Sequence, residues 1–283
     1  MQKSPKIHAR CTSARGFTLV DLLVSMAVIL VLIGILTPTV SMARNAAYRS
    51  ACSSNVRQLG LASQMYAYDH QGKVPTSVFS AGDSTYQHAP GQTVLLRINA
   101  SNALYAGTSA AKAKDKWDGL GLLHKQEYVD APEVFYCPKQ TSDHTIEKYR
   151  ANFNGAPGEI AGNYQLRLPD PKKYLSDLNP AMAIIANSMR STEEYSHKTG
   201  NNMLLADMSV QWFAEGARLM AFLHPAIPTD TRGDVEQFES AWKFLDLRHV
   251  PIDETGRDGH STTVGGDTTT KPVDKTKKAG ASE

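Results

Sequence analysis

The stretch FTLVDLLVSMAVILVLIGILTPTV, residues 17–40, decides the architecture. It holds 24 residues and a single charge, Asp21. At ~1.5 Å per residue a helix of that length is roughly 36 Å long, enough to cross the ~30 Å hydrocarbon core of a bilayer. The residues before it carry Lys3, Lys6, Arg10 and Arg15 and no acid. The positive-inside bias holds such a leader in the cytoplasm and sends the chain after Val40 outward. A secretory signal has a shorter apolar region with its small-residue cleavage site behind it. Here the small residue, Gly16, stands in front. Pro38 lacks the N–H that a helix interior needs, so it is expected to kink or locally unwind the rod.

Working outward, residues 41–69 contain no Pro and one Gly, Gly60. Tyr48, Cys52, Val56, Leu59, Ala62 and Tyr66 recur every three or four positions, while Arg49, Arg57, Gln58 and Gln64 fall largely outside that stripe. One apolar face predicts a stalk helix over residues 41–72 whose outer part packs on a globular head. Gly72 supplies its stop and Pro75 prevents resumption.

The whole chain has 283 residues, 41% of them hydrophobic and 20% charged, which excludes collagen-like, disulfide-dense and wholly disordered classes. Its net charge of +2 is a property of the leader. Without those four cations the remainder holds 26 basic against 28 acidic residues, so a nucleic-acid partner is not expected.

At Arg15-Gly16-Phe17-Thr18-Leu19 the chain resembles the class III signal of type IV pilins and type II secretion pseudopilins. The resemblance implies that a prepilin peptidase cuts between Gly16 and Phe17 and methylates Phe17, the first residue of the mature protein. The family usually carries Glu where this chain has Asp21, and commonly a proline at the place of Pro38. A lone carboxylate inside a bilayer costs ~2.5–3.5 kcal/mol on insertion scales. The resemblance gives Asp21 a partner, the Phe17 α-amino group of a neighbouring subunit, and hence a role in staggering subunits during assembly. Hydration of Asp21 near the membrane face is the alternative.

CSSNVRQLGLASQMYAYDHQGKVP, residues 52–75, is similar to pilin-like secretion proteins abundant in planctomycetes and verrucomicrobia, often labelled type II secretion protein G-like. Val134-Phe135-Tyr136-Cys137-Pro138 matches the same group, and His197 through Asp207 resembles its H-x9-D-G signature with Met208 in place of glycine. The resemblance extends over about residues 11–213. It implies an α+β fold with a small antiparallel sheet in the head, and a single-pass inner-membrane protein whose head lies in the periplasm or outside. It further implies homo- or hetero-oligomers with other pilin-like subunits in a filament. A membrane-tethered extracellular binding protein that does not polymerise is the alternative.

Within the head, 73–213, residues 76–115 are rich in Ser, Ala, Gly and Thr and suggest a long loop with room for a short helix. A short helix is expected between Trp117 and Tyr128, a strand over 182–186, and a hairpin of 203–206 with 209–213. Met208 at its turn would cost ~1–2 kcal/mol if left-handed, so either the turn type differs or Met208 packs usefully.

Cys11 leaves with the leader, and Cys52 and Cys137 then form a disulfide candidate in an oxidising envelope, closing a loop of 84 intervening residues. Two buried free thiols are the alternative. His197 and Asp207 suggest a metal or catalytic pair only if the hairpin brings them together, and otherwise a turn-stabilising hydrogen bond. Calcium at Asp207 and Asp177 has the family's precedent but no D-x-D-x-D-G loop behind it, so no cofactor is expected. Neither a nucleophile elbow, a phosphate-binding glycine loop nor HExxH occurs, so no enzymatic activity is expected. In the extension 214–253 a helix should start near Asp234, with Val235, Phe238, Trp242 and Leu245 on one face for the head or a partner. Residues 254–283, poor in apolar side chains, should be disordered.

Overall fold

In the computed structural model α1 runs unbroken from Leu19 to Asp69, 51 residues or roughly 76 Å. The structure describes residues 16, 18–79, 93–99, 116–140, 143–167, 174–220, 223 and 234–247. The rest of the leader, Phe17 and the tail 254–283 lie outside the described residues. Pro38 does not unwind α1, which is helical on both sides of it. Beside it, Thr37 and Thr39 donate their hydroxyls to the carbonyls of Ile33 and Ile35, at 2.8 and 3.1 Å. Residues 18–47 are exposed throughout, whereas Cys52, Val56, Leu59, Gly60, Ala62, Ser63, Tyr66 and Ala67 are buried. The rod is therefore bare in its first half and packed in its second. It ends at Asp69, three residues before Gly72: Gln71 already has φ 57, and the Gly72 amide donates back to Ala67 O at 2.7 Å.

The head is an α+β assembly of two antiparallel sheets. The smaller has order β2-β1-β3, from Lys116–Trp117, Leu95–Ile98 and Ile160–Ala161. The larger has order β4-β5-β6-β7, from Tyr164–Leu166, Ala183–Asn187, Asn201–Leu205 and Val210–Phe213. The Ser/Ala/Gly-rich stretch thus contributes strand β1, where a long loop with room for a short helix was expected. Helix α2, Gly121–Lys125, follows β2, and helix α3, Ile146–Phe153, precedes β3. Arg97 in β1 is buried, and its guanidinium donates to three carbonyls, Gly158 at 2.7 Å, Asn152 at 2.9 Å and Ala156 at 2.5 Å. It ties the smaller sheet to the last turn of α3 and the loop after it.

Alternation along β6 explains how the larger sheet is covered on both faces. Leu204 belongs to the core that includes Cys52, Val56 and Leu59 of α1, whereas Met203 and Leu205 pack with the C-terminal segment. Gly60 marks the crossing: a Cβ there would lie 2.7 Å from a Leu204 methyl. On the other face sit α4, Gly216–Met220, and α5, Asp234–Leu247. Phe238, Ala241, Trp242 and Leu245 are buried there. Asp246 holds α5 in place, accepting from the Arg167 guanidinium at 2.6 Å and the Ala183 amide at 2.9 Å. The aromatic face of α5 therefore docks on the chain's own head.

Candidate functional site

Three places stand out, and two of them were marked in the sequence. The first is the start of α1. Thr18 is its N-cap, with the β-region backbone such a cap requires. The Thr18 amide and hydroxyl donate to Asp21 Oδ2 at 3.1 and 2.8 Å, and the Asp21 amide donates to Thr18 Oγ1 at 3.2 Å. This reciprocal box gives Asp21 a partner inside its own chain, one that the signal T-L-V-D contained unread. Gly16 is exposed just ahead of it, with open space where a side chain would be. Phe17 itself lies outside the described residues.

The second place joins stalk to head. Cys52 and Cys137 form a disulfide, Cα to Cα 5.3 Å, and both are buried. Cys137 follows a 3₁₀ turn, Pro132–Phe135, and its amide donates to Asn163 Oδ1 at 3.1 Å. His197 Nε2 lies 3.3 Å from Cys137 Sγ, and its ring meets Trp212 edge to face at 5.6 Å. A disulfide sulfur has no proton to give, so the Nε2–H tautomer is the donor. Burial pushes the His197 imidazole down to about 4, and the nearby charges of Lys139 and Arg49 push the same way, so the ring is neutral. Among the described residues the only cluster of three metal-capable side chains is Cys52, Cys137 and His197. Two of the three are spent on the disulfide, which leaves one imidazole and no cage.

His197 and Asp207 do not meet. They sit beyond opposite ends of β6, whose five residues are roughly 17 Å long. The expected hydrogen bond between them is not formed: His197 lies against Cys137, and Asp207 bonds within its own turn. Asp207 Oδ1 accepts from the Ser209 amide at 2.8 Å inside the β6–β7 turn. Met208 is in the left-handed region, with φ 68, and its half-buried side chain packs against the main core. Asp177 caps its own 3₁₀ turn through the Tyr174 amide at 3.4 Å.

Sequence reasoning missed the third place, a groove of about 810 Å³ between α1 and the β6–β7 hairpin. Asn45, Arg49, Ser50 and Ser53 line its stalk side, and Lys139, His197, Asn202 and Trp212 its head side. The Arg49 guanidinium lies 4.1 Å from the centre of the Trp212 ring. Lys139 Nζ donates to Asn45 Oδ1 at 2.6 Å. Among the described residues no carboxylate lines the groove. Its parts come from positions as far apart as 45 and 214, so no local spacing announced it.

A buried polar knot stands close by. Arg190 donates to Glu194 at 2.9 and 2.5 Å, and His144 Nε2 lies 2.7 Å from the same carboxylate. Burial alone would raise the Glu194 carboxyl. Hydrogen bonds and charge from His144 and Arg190 outweigh it and hold the group down at about 2.

The described chain is thus a bare apolar rod, long and apolar enough to cross a membrane, joined to an α+β head with a disulfide at the joint. A family described as "Protein of unknown function (DUF1559)", a planctomycete pilin-like group, matches residues 41–208, more than half of the chain, and the chain belongs to it. That match begins where the stalk leaves the apolar segment and ends at the β6–β7 turn, so α4 and α5 lie beyond it. Neither the curated proteins nor the solved structures contain a match to the chain.

Proposed function

We propose that this protein is a structural pilin-like subunit of a type II secretion pseudopilus or type IV pilus-like filament. In this reading a prepilin peptidase cuts after Gly16 and methylates Phe17, α1 holds the protein in the inner membrane, and the head lies outside it. The mature subunits associate through their apolar rods, and the protein works by assembly rather than by catalysis. One observation carries the reading: α1 is fully exposed and apolar over a membrane-length window, and the same helix then enters the core of the head. Exposed apolar surface of that extent is stable only in lipid or against other such helices.

A second reading, a membrane-tethered binding protein that does not polymerise, draws support from the capping box. Asp21 already has partners in Thr18, so a neighbour's amine is not needed to satisfy it. Replacing Asp21 separates the two. Mass spectrometry of native protein is expected to find Phe17, methylated, at the N-terminus. Asp21→Asn should stay processed and membrane-bound yet leave the sheared filament fraction, and Asp21→Glu should restore it. An intact Met1 defeats the pilin reading; an Asn variant that still sediments with filaments transfers the case to the tethered one.

A further inference from the structure

The groove beside Trp212 opens at a defined height on the stalk. Met42 closes the exposed apolar run, and Arg44 is the first charge after Asp21. Counted from Leu19, Asn45 lies roughly 39 Å along the helix. That is past a ~30 Å hydrocarbon core and within the ~40–45 Å that includes the headgroups. Once α1 spans a bilayer, the part of the functional reading on which this inference rests, the groove mouth faces the outer headgroup layer.

Its chemistry suits that depth. From Leu22 to Tyr68 the helix carries Arg44, Arg49 and Arg57 and no acid, a run of positive charge on the flank where the positive-inside bias disfavours it. Arg49 stacks on Trp212 and Lys139 bonds a neutral amide, and among the described residues neither has a carboxylate partner. His197 in the same wall is held low first by its burial and then by the charges of Lys139 and Arg49, which face the cavity with it. Trp212 is half-buried, an amphipathic ring of the kind that settles at membrane interfaces.

We propose that the groove binds the headgroup of an anionic phospholipid of the outer leaflet. Arg49 and Lys139 engage the phosphodiester oxygens, and the hydroxyls of Ser50 and Ser53 face the polar remainder of the headgroup. A stack on Trp212 leaves the guanidinium edge N–H groups open to phosphate. The bound lipid would set the head's height and rotation above the membrane.

The test uses full-length protein in mild detergent with an equimolar mixture of phosphatidylglycerol and phosphatidylcholine, read by native mass spectrometry. Wild type should retain phosphatidylglycerol over phosphatidylcholine by on the order of ten-fold, the scale set by two cations meeting a net negative headgroup rather than one whose choline cation offsets its phosphate. The double variant Arg49→Gln/Lys139→Gln should bring the ratio to about one with an unchanged thermal melt, whereas Lys148→Gln, exposed on α3, should leave it alone. Equal retention of the two lipids by wild type, or an undiminished preference in the double variant, overturns the proposal. Inorganic phosphate titrated without lipid and binding as tightly reassigns the groove to a soluble anion and overturns it too. So do dimers that vanish in the double variant without lipid selectivity, which place a second copy there. Flotation with uncharged phosphatidylcholine vesicles separates the two readings: a chain that does not float refutes the membrane anchor, and one that floats without lipid preference refutes only the groove.

Discussion

Replacing Cys52 and Cys137 together by alanine should remove about 5 kcal/mol from the head. The bond spans 85 positions, and the chain-entropy estimate for a loop of that length is about 4.5 kcal/mol at 25 °C. Both sulfurs are buried, at 0% and 3% exposure, so their loss leaves a small void worth about 1 kcal/mol more. Alanine is the better probe because serine would bury two hydroxyls, and a hydrogen bond from His197 to the one at position 137 would offset part of the loss being measured. Typical domains are stable by about 5–15 kcal/mol, so this one bond carries a third or more of the margin. The assay is urea unfolding of full-length protein in mild detergent, followed by the fluorescence of Trp117, Trp212 and Trp242, all outside the membrane segment. Oxidised wild type should unfold last, reduced wild type about 4 kcal/mol lower, and the alanine pair about 1 kcal/mol lower again. The order matters because Cys52 rides on the stalk and Cys137 on the head, so the crosslink holds one to the other. Coincident curves for oxidised and reduced wild type, with equal slopes, would refute the reasoning.

Three further outcomes are expected. His197 is buried neutral with its imidazole pushed down to about 4, so the unfolded chain binds the extra proton first. Stability should therefore be full above the ordinary value of 6.5 and fall by roughly 1–3 kcal/mol as the pH drops to about 4. His197→Asn should flatten that slope in urea melts run at successive pH values. Below it, Glu194, held at about 2 by His144 and Arg190 against its burial, adds a second loss between its ordinary 4.5 and 2. Met208→Ala keeps the left-handed strain and loses the packing, whereas Met208→Gly loses the packing but sheds the strain. The glycine variant should be the more stable of the two by about 1 kcal/mol in the same melts, the reverse of the order seen in helices. Gly60→Val should cost about 1–3 kcal/mol, because its branched side chain would enter the space of Leu204, and Leu204→Ala in the same chain should recover part of the loss.

Helix α1 was legible from end to end because its signals are local. Uninterrupted apolar residues, a stripe at helical spacing and a Gly near the stop each act within one or two turns. The hairpin β6–β7 and helix α5 were legible for the same reason, down to Phe238, Trp242 and Leu245 on the buried face. The family signature put Cys52, Cys137 and His197 on the page as separate marks. Strands β2 and β3 are two residues each, too short for any period, and exist only because β1 lies between them and pairs with both. The same dependence hid β1 inside a stretch whose composition reads as loop. Arg97 looks like a surface cation until the last turn of α3 and the loop after it fold three carbonyls around it. The groove takes one wall from a helix and the other from a hairpin some 150 positions later, and the separation of His197 from Asp207 follows from β6 running straight between them. Sequence determined each element whose stability is set by its own neighbours along the chain. Only the tertiary structure decided which distant elements met, because a side chain's burial and charge partners come from whatever packs against it.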